Sequence, residues 1–336
     1  MSAERPVLVV GATGFIGGAL VRALIKEGSA VRAVVRSRVA ARQMAGSGAE
    51  LVEADLLDPQ SLRSAAQGAG LIYHVGGLNT MCPKQPGRLF EVNVQGTLNL
   101  VEAAAAAGVQ RVVYTSSAAT LGEAHGTVAT IDSRHRGFYL STYEHSKHLA
   151  EAEALERSRA LGVELVCVNP SSVQGPGRTG GTARWLIRYA DGRLRWMVDT
   201  RVSLVAVDDC VRAHLQAARL GVPGRRYLVN GATLRIADLI ELVGEVTGQR
   251  QRVRMLPAWA ALTGGTLVGA GFGLAGKRPP VCAEMVRTLL HGHAYDGSAA
   301  AQELEFTYTP VREFLATTMA WYWEHGLVRR RPLSPA

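Results

Sequence analysis

Tyr143-Glu144-His145-Ser146-Lys147 sets a phenol and an ammonium four residues apart. On a helix such positions share one face, so the two groups stand side by side. A neighbouring ammonium favours phenolate and draws the pKa of a phenol down from about 10. A phenol tuned in this way is a general acid and base between an alcohol and a carbonyl. Upstream, Thr115-Ser116-Ser117 closes a short apolar run with hydroxyls. A Tyr-x-x-x-Lys pair alone is most often a solvated helix face. Its specificity comes from the order and spacing of the hydroxyl run, the pair and a third feature, a glycine turn near the N-terminus.

That turn has the chemistry of anion binding. The apolar run Val7-Leu8-Val9-Val10 leads into Gly11, Gly14 and Gly17, and residues 18–28 follow with a helical period. A strand, a glycine turn and a helix bring a pyrophosphate onto unpaired N–H groups at the positive end of a helix dipole. Gly11 permits the tight turn, Gly14 lets phosphates approach the backbone, and Gly17 lets helix and strand pack closely. The next strand runs into Val34-Val35-Arg36-Ser37-Arg38, and no acidic residue occurs between Ala30 and Ala49. A carboxylate at that place would bind the 2′-hydroxyl of NAD; a guanidinium instead pairs with the 2′-phosphate of NADP, and Ser37 adds a donor. NADP(H) is therefore favoured over NAD(H). Asp55 is placed to accept from an adenine amino group or to cap a helix before Pro59.

Alternating strand and helix patterns must position these groups, and they imply an α/β fold, a doubly wound parallel sheet covered on both faces. Strands are expected at 30–35, 50–52, 71–75, 111–115 and 164–168, with helices at 59–66, 88–107 and 139–161 between them. The ligand crevice of such a sheet lies at the strand C-termini. From Gly175 the rhythm changes, with a strand near 203–207 and helices near 208–220 and 236–247. The expected division is a dinucleotide-binding domain over 1–175, to which 201–249 returns. A smaller substrate lobe then takes 176–200 and 250–328, and a basic tail 329–336.

The 336 residues are 47% hydrophobic and 19% charged, a globular composition large enough for a full core. The net charge of +9 is scattered, with its one sharp run at Arg329-Arg330-Arg331. No nucleic-acid partner is expected; a positive field suits an anionic cofactor. Cys82, Cys167, Cys210 and Cys282 show no metal-ligand spacing and read as reduced thiols of a cytoplasmic protein, with no leader ahead of the first strand. Residues 256–276 contain no charge and could just span a bilayer, but Pro257 and the glycines between Gly264 and Gly273 make a poor isolated span. A buried or lid helix is expected there rather than membrane contact.

The chain resembles the extended short-chain dehydrogenase/reductases over nearly its whole length. The matching motifs are Gly11-x-x-Gly14-x-x-Gly17, Asp55-Leu56, Tyr73-His74-Val75, Asn93-Val94-x-Gly96-Thr97, Thr115-Ser116-Ser117, Tyr143-x-x-Ser146-Lys147, Asn169-Pro170-Ser171-Ser172-Val173-x-Gly175-Pro176 and Val207-Asp208-Asp209. It is most similar to the dihydroflavonol 4-reductase and 3β-hydroxysteroid dehydrogenase branch. Val198-Asp199-Thr200-x-x-x-Leu204-Val205 also resembles bacterial dihydroflavonol-reductase-like and hopanoid-associated sugar epimerase-like proteins.

The resemblance implies that Tyr143 protonates a substrate oxygen, that Lys147 holds the nicotinamide ribose and acidifies Tyr143, and that Ser117 bonds the substrate carbonyl. Its cofactor residues would be Gly11, Thr13, Gly14, Phe15, Ile16 and Gly17 of the turn, then Arg36, Asp55 and Leu56. Val75 and Gly76 would pass beneath the ribose, Tyr143 and Lys147 would touch it, and Pro170, Ser172 and Val173 would line the nicotinamide. Asn93 would support the catalytic strand. Gly76-Gly77 and Gln174 depart from the family's usual alanines and tyrosine. The implied activity is NADPH-dependent reduction of a carbonyl on a medium-sized apolar substrate. A nucleotide-sugar epimerase or dehydratase with retained NAD, meeting a diphosphate through Arg178, Arg184, Arg188 and Arg201, stands as an alternative. So do a sterol dehydrogenase and a non-catalytic NAD(P)-binding protein. A homodimer through the helices at 88–107 and 139–161 is also implied.

Overall fold

The structure is a computed structural model that describes residues 5–249 and 251–329 and leaves the side chains of Arg38 and Gln43 undescribed. In chain order its first half runs β1 (Val7–Val10), α1 (Phe15–Lys26), β2 (Val31–Val35), α2 (Arg38–Gln43), β3 (Glu50–Glu53), α3 (Pro59–Ala66), β4 (Leu71–His74), α4 (Pro86–Phe90), α5 (Gly96–Ala106), β5 (Arg111–Thr115), α6 (Thr142–Leu161) and β6 (Glu164–Pro170). The second half runs β7 (Ser172–Gln174), α7 (Ala183–Ala190), β8 (Trp196–Val198), β9 (Arg201–Ala206), α8 (Val207–Leu220), β10 (Arg226–Val229), β11 (Ala232–Arg235), α9 (Ile236–Thr247), β12 (Arg254–Leu256), α10 (Ala258–Leu274), α11 (Ala283–His291), α12 (Ser298–Glu303) and α13 (Val311–Glu324).

Seven parallel strands form the main sheet in the order β10-β6-β5-β4-β1-β2-β3. The order reverses between β1 and β4, the switch point where a doubly wound sheet opens its ligand crevice. Alternate residues of β1 serve opposite faces, as a period of two dictates. Val9 joins Leu20 and Leu24 of α1 and Val211 of α8 on one side, whereas Leu8 and Val10 join Leu62 of α3, Leu100 of α5 and Ala154 of α6 on the other. β7, β9 and β11 make a second sheet, and β8 pairs with β12. A third core joins Leu186 of α7, Leu239 of α9 and Phe314 and Met319 of α13.

Three sequence expectations change. The helix expected over 88–107 is broken into α4, a π-helical turn at Glu91–Gln95, and α5. The helix expected from Tyr139 begins at Thr142, because Ser141 takes the cap and its hydroxyl accepts from Glu144 N at 3.2 Å. The reading of four reduced thiols is corrected: Cys82 and Cys282 form a disulfide across 200 residues of sequence, and Cys167 and Cys210 are the buried free thiols. Linear spacing carries no sign of that pairing, and it removes the argument for a reducing compartment. Of the terminal arginine run, Arg330 and Arg331 lie outside the described residues.

Candidate active site

The glycine turn stands at the switch point. Gly11 has φ +91°, and a Cβ on it would lie 2.5 Å from Gly76 N, so no other residue fits where the ends of β1 and β4 meet. A Cβ on Gly17 would lie 2.1 Å from Gly11 O, which fixes the close approach of α1 to the turn. Gly14 caps α1 without a side-chain acceptor, and no acidic residue occupies the first turn. Thr13 and Gly14 are exposed, while Phe15 and Ile16 are half-buried. The N–H groups of this first turn therefore face an open cradle of the kind a pyrophosphate fills.

Around the cradle, Arg36 is exposed at the end of β2, and Ser37 caps α2 by accepting from Ala40 N at 3.2 Å. Asp55 does not cap the helix at Pro59; Asp58 does, accepting from Gln60 N and Ser61 N. Asp55 closes its own turn by accepting from Leu57 N at 2.8 Å. Leu56 packs under Gly76 and Gly96, where added Cβ atoms would lie 3.2 Å and 2.9 Å from it. Val75 and Gly76 are half-buried, Pro170 and Val173 are buried, and the Ser172 hydroxyl pairs with Thr182 Oγ1 at 2.9 Å.

The hydroxyl run and the Tyr-Lys pair meet beside this crevice. Ser117 follows β5, where its hydroxyl accepts from Ala119 N at 3.2 Å and acts on the phenol of half-buried Tyr143, the second residue of α6. Burial raises the Tyr143 phenol above its ordinary range, and the Ser117 hydroxyl and the charge of Arg178 pull it back. Lys147 is one turn further on and buried. Its Nζ donates to Tyr114 Oη at 2.7 Å and Thr115 O at 2.9 Å, and lies 4.4 Å from the Tyr114 ring centre. Burial lowers Lys147 to about 8, against the opposing charges of Glu151 and Cys167. The ammonium thus holds the end of β5, and the groups acting on the Tyr143 phenol are Ser117 and Arg178.

A buried polar network fixes this arrangement. Tyr114 stacks on His74 at 5.1 Å, and His74 Nε2 meets Thr97 Oγ1 at 2.9 Å. Burial, reinforced by the Lys147 charge, drives His74 down to about 3, so it is neutral. Asn93, within the π-helical turn, donates to Ser146 Oγ and Leu78 O and accepts from Leu78 N at 2.7 Å, tying the loop after β4 to α6. Asn169 donates to the Glu151 carboxylate, to Thr120 Oγ1 at 3.0 Å and to Ser117 O at 3.3 Å.

Long-range partners close the site from above. Glu284 of α11 accepts from Cys82 N at 2.6 Å and from Thr142 N and Oγ1 at 3.1 Å, beside the Cys82–Cys282 bond. Arg178 is half-buried in the loop before α7, its guanidinium 5.5 Å from the Phe15 ring, and its Nε is buried without a hydrogen-bond partner. Arg184, Arg188 and Arg201 are exposed. Glu123, His291 and His293 bring ligand-type atoms within 4.8 Å of one another. His293 Nδ1 lies 2.6 Å from Glu123 Oε1, whereas two ligands of a tetrahedral metal stand roughly 3.3 Å apart. Glu123 is hydrogen-bonded to His293 and lies 3.3 Å from His291 Nε2; burial raises Glu123, but its contacts with His291 and His293 outweigh that and hold it at about 2. Glu284 and Tyr114 were invisible in the sequence because no local spacing links them to Tyr143, and Arg178, named there as a diphosphate partner, stands instead beside Tyr143 and Phe15.

The model of the NAD dependent epimerase/dehydratase family matches residues 7–229, more than half of the chain and all of the crevice from the glycine turn to β10. The chain belongs to that family. Within this family it is an NAD(P)-binding oxidoreductase of the extended short-chain dehydrogenase/reductase type. It is 32% identical to sterol demethylase protein B of Methylococcus capsulatus, over 96% of this chain and 99% of that one. It is also 32% identical to cinnamoyl-CoA reductase 1 of Petunia hybrida, covering 71% of this chain and 76% of that one. The solved structure of gox2253 superposes with a TM-score of 0.84 at 29% identity, over 97% of this chain and 100% of that one.

Proposed function

We propose that this family member is an NADPH-dependent reductase of a carbonyl on a medium-sized, mostly apolar molecule. The observation that carries the proposal is the Ser117–Tyr143 pair at the mouth of the glycine-turn crevice. The uncapped first turn of α1 would hold the pyrophosphate, and Arg36 the 2′-phosphate, with no carboxylate nearby in sequence to repel it. When bound, the cofactor supplies hydride to the carbonyl carbon. Ser117 donates to the carbonyl oxygen and orients it, and Tyr143 delivers its proton to that oxygen as the bond reduces to an alcohol. Lys147 keeps the end of β5 in place through its bonds to Tyr114 Oη and Thr115 O. The alcohol-to-carbonyl direction uses the same groups in reverse.

A second reading, a nucleotide-sugar epimerase or dehydratase, draws on one observation: the half-buried Arg178 guanidinium beside Phe15 and Tyr143 suits an anionic substrate. Pairing of α5 and α6 with their copies in a homodimer belongs to the same proposal. Titration of the purified protein with NADPH and NADH separates the readings. The reductase reading expects exchangeable binding with preference for NADPH, and Arg36→Asp should reverse that preference by roughly one to two orders of magnitude. Tightly retained NAD with no response to Arg36→Asp would overturn it.

A further inference from the structure

We propose that α10 docks the protein onto an anionic membrane surface, with one apolar stripe of the helix in the lipid. A helix that is apolar on every side is ordinarily sealed inside a protein or placed in lipid. α10 carries no charged residue over its 17 positions, yet Gly265 is the one residue it buries. Of the sequence expectation of a buried or lid helix, the buried form is corrected. Its most exposed large apolar side chains are Trp259 at 72%, Leu267 at 68% and Leu274 at 93%. Steps of eight and seven residues return them to one side of a helix with 3.6 residues per turn, so they form an outward stripe. On the opposite side the Gly265–Gly269 strip is set against the protein, while Val268 and Phe272 are each 38% exposed. A Cβ on Gly265 would lie 2.8 Å from Val286 of α11, and one on Gly269 would lie 3.5 Å from Cys282, whose disulfide ties this pair of helices to the loop after β4.

The surrounding charge selects the occupant. Residues 249–283 include five arginines and lysines and no carboxylate. Arg252 and Arg254 are exposed before α10, and Lys277 and Arg278 are exposed after it. Cations at both ends of an apolar helix match anionic headgroups flanking a hydrocarbon surface. They oppose self-association, because any two-fold pairing of α10 with its copy sets a basic end against a basic end. Trp196, half exposed and 5.4 Å from the Arg254 guanidinium, adds a second tryptophan of the type enriched at lipid–water interfaces. At about 26 Å the helix is shorter than a hydrocarbon core of about 30 Å, and no helix among the described residues is long and apolar enough to cross a membrane. α10 therefore lies along the surface.

Sedimentation of the full-length protein with vesicles tests this. Vesicles of phosphatidylcholine mixed with phosphatidylglycerol should carry the protein down, and pure phosphatidylcholine should carry less. Leu267→Asp with Leu274→Asp should weaken binding roughly tenfold or more at an unchanged melting temperature. Lys277→Gln with Arg278→Gln should remove the preference for anionic vesicles. Failure of the wild-type protein to sediment with either vesicle would overturn the proposal, as would equal sedimentation of the aspartate variant. Conversion of a dimer to a monomer by those aspartates, without vesicle binding, would reassign the stripe to a second copy of the chain.

Discussion

Tyr143 owes its chemistry to place as much as to type. As the second residue of α6 it sits in the positive end of a helix dipole, which favours the phenolate that alcohol oxidation requires. Burial works the other way, and Ser117 and Arg178 decide how much of that rise is recovered. Arg178→Met should raise the Tyr143 pKa. The pH–rate profile for alcohol oxidation, which needs phenolate, should then move its rising limb to higher pH. A profile superimposable on wild type would remove Arg178 from the site. The Tyr-Lys spacing was legible in sequence because a helix converts a separation of four into a shared face. What that spacing could not show is where Lys147 points: its ammonium reaches the end of β5 and Tyr114, a tyrosine whose role rests on strand pairing.

At the scale of elements, the strand–turn–helix unit at 7–26, the helix at 59–66 and the strand at 111–115 were legible, since hydrophobic period and glycine placement fix them locally. The start of α6 and the π-helical turn were not. Ser141 outcompetes the apolar pattern at 139–140 by capping, and Asn93 spends its amide on Leu78 and Ser146 within a turn that periodicity reads as ordinary helix. The strap from Cys82 to Cys282 and Glu284 is the larger miss, because contacts across 200 residues leave no trace in spacing. It also yields a direct count. Alkylation of the denatured protein without reductant should modify two thiols, Cys167 and Cys210, and four after reduction. Four without reductant would contradict the strap.

The whole molecule buries bases that cannot take a proton in the native state, and this sets its response to acid. Burial drives His74 to about 3 and His214 to about 4. Unfolded, both titrate near 6.5, so between those values the unfolded chain binds more protons and stability falls as pH falls. Above 6.5 their contribution to this pH dependence vanishes; below it each costs up to about 1.4 kcal/mol per pH unit. Glu123, held at about 2 by its histidines, adds a loss of the same sign as pH drops through the ordinary carboxylate range. Denaturant midpoints should thus decline steadily from pH 7 to pH 4, and a flat profile would mean these groups are accessible to protons in the folded state. The sheet, the crevice and the lobe above it bring the glycine turn and the Ser117–Tyr143 pair together, and the central claim is that the two halves perform one reduction. Turnover of Tyr143→Phe at saturating NADPH, with NADPH affinity measured on the same sample, tests that claim most directly. We predict a fall in kcat of roughly two to four orders of magnitude with cofactor affinity retained; kcat within a few-fold of wild type would contradict it.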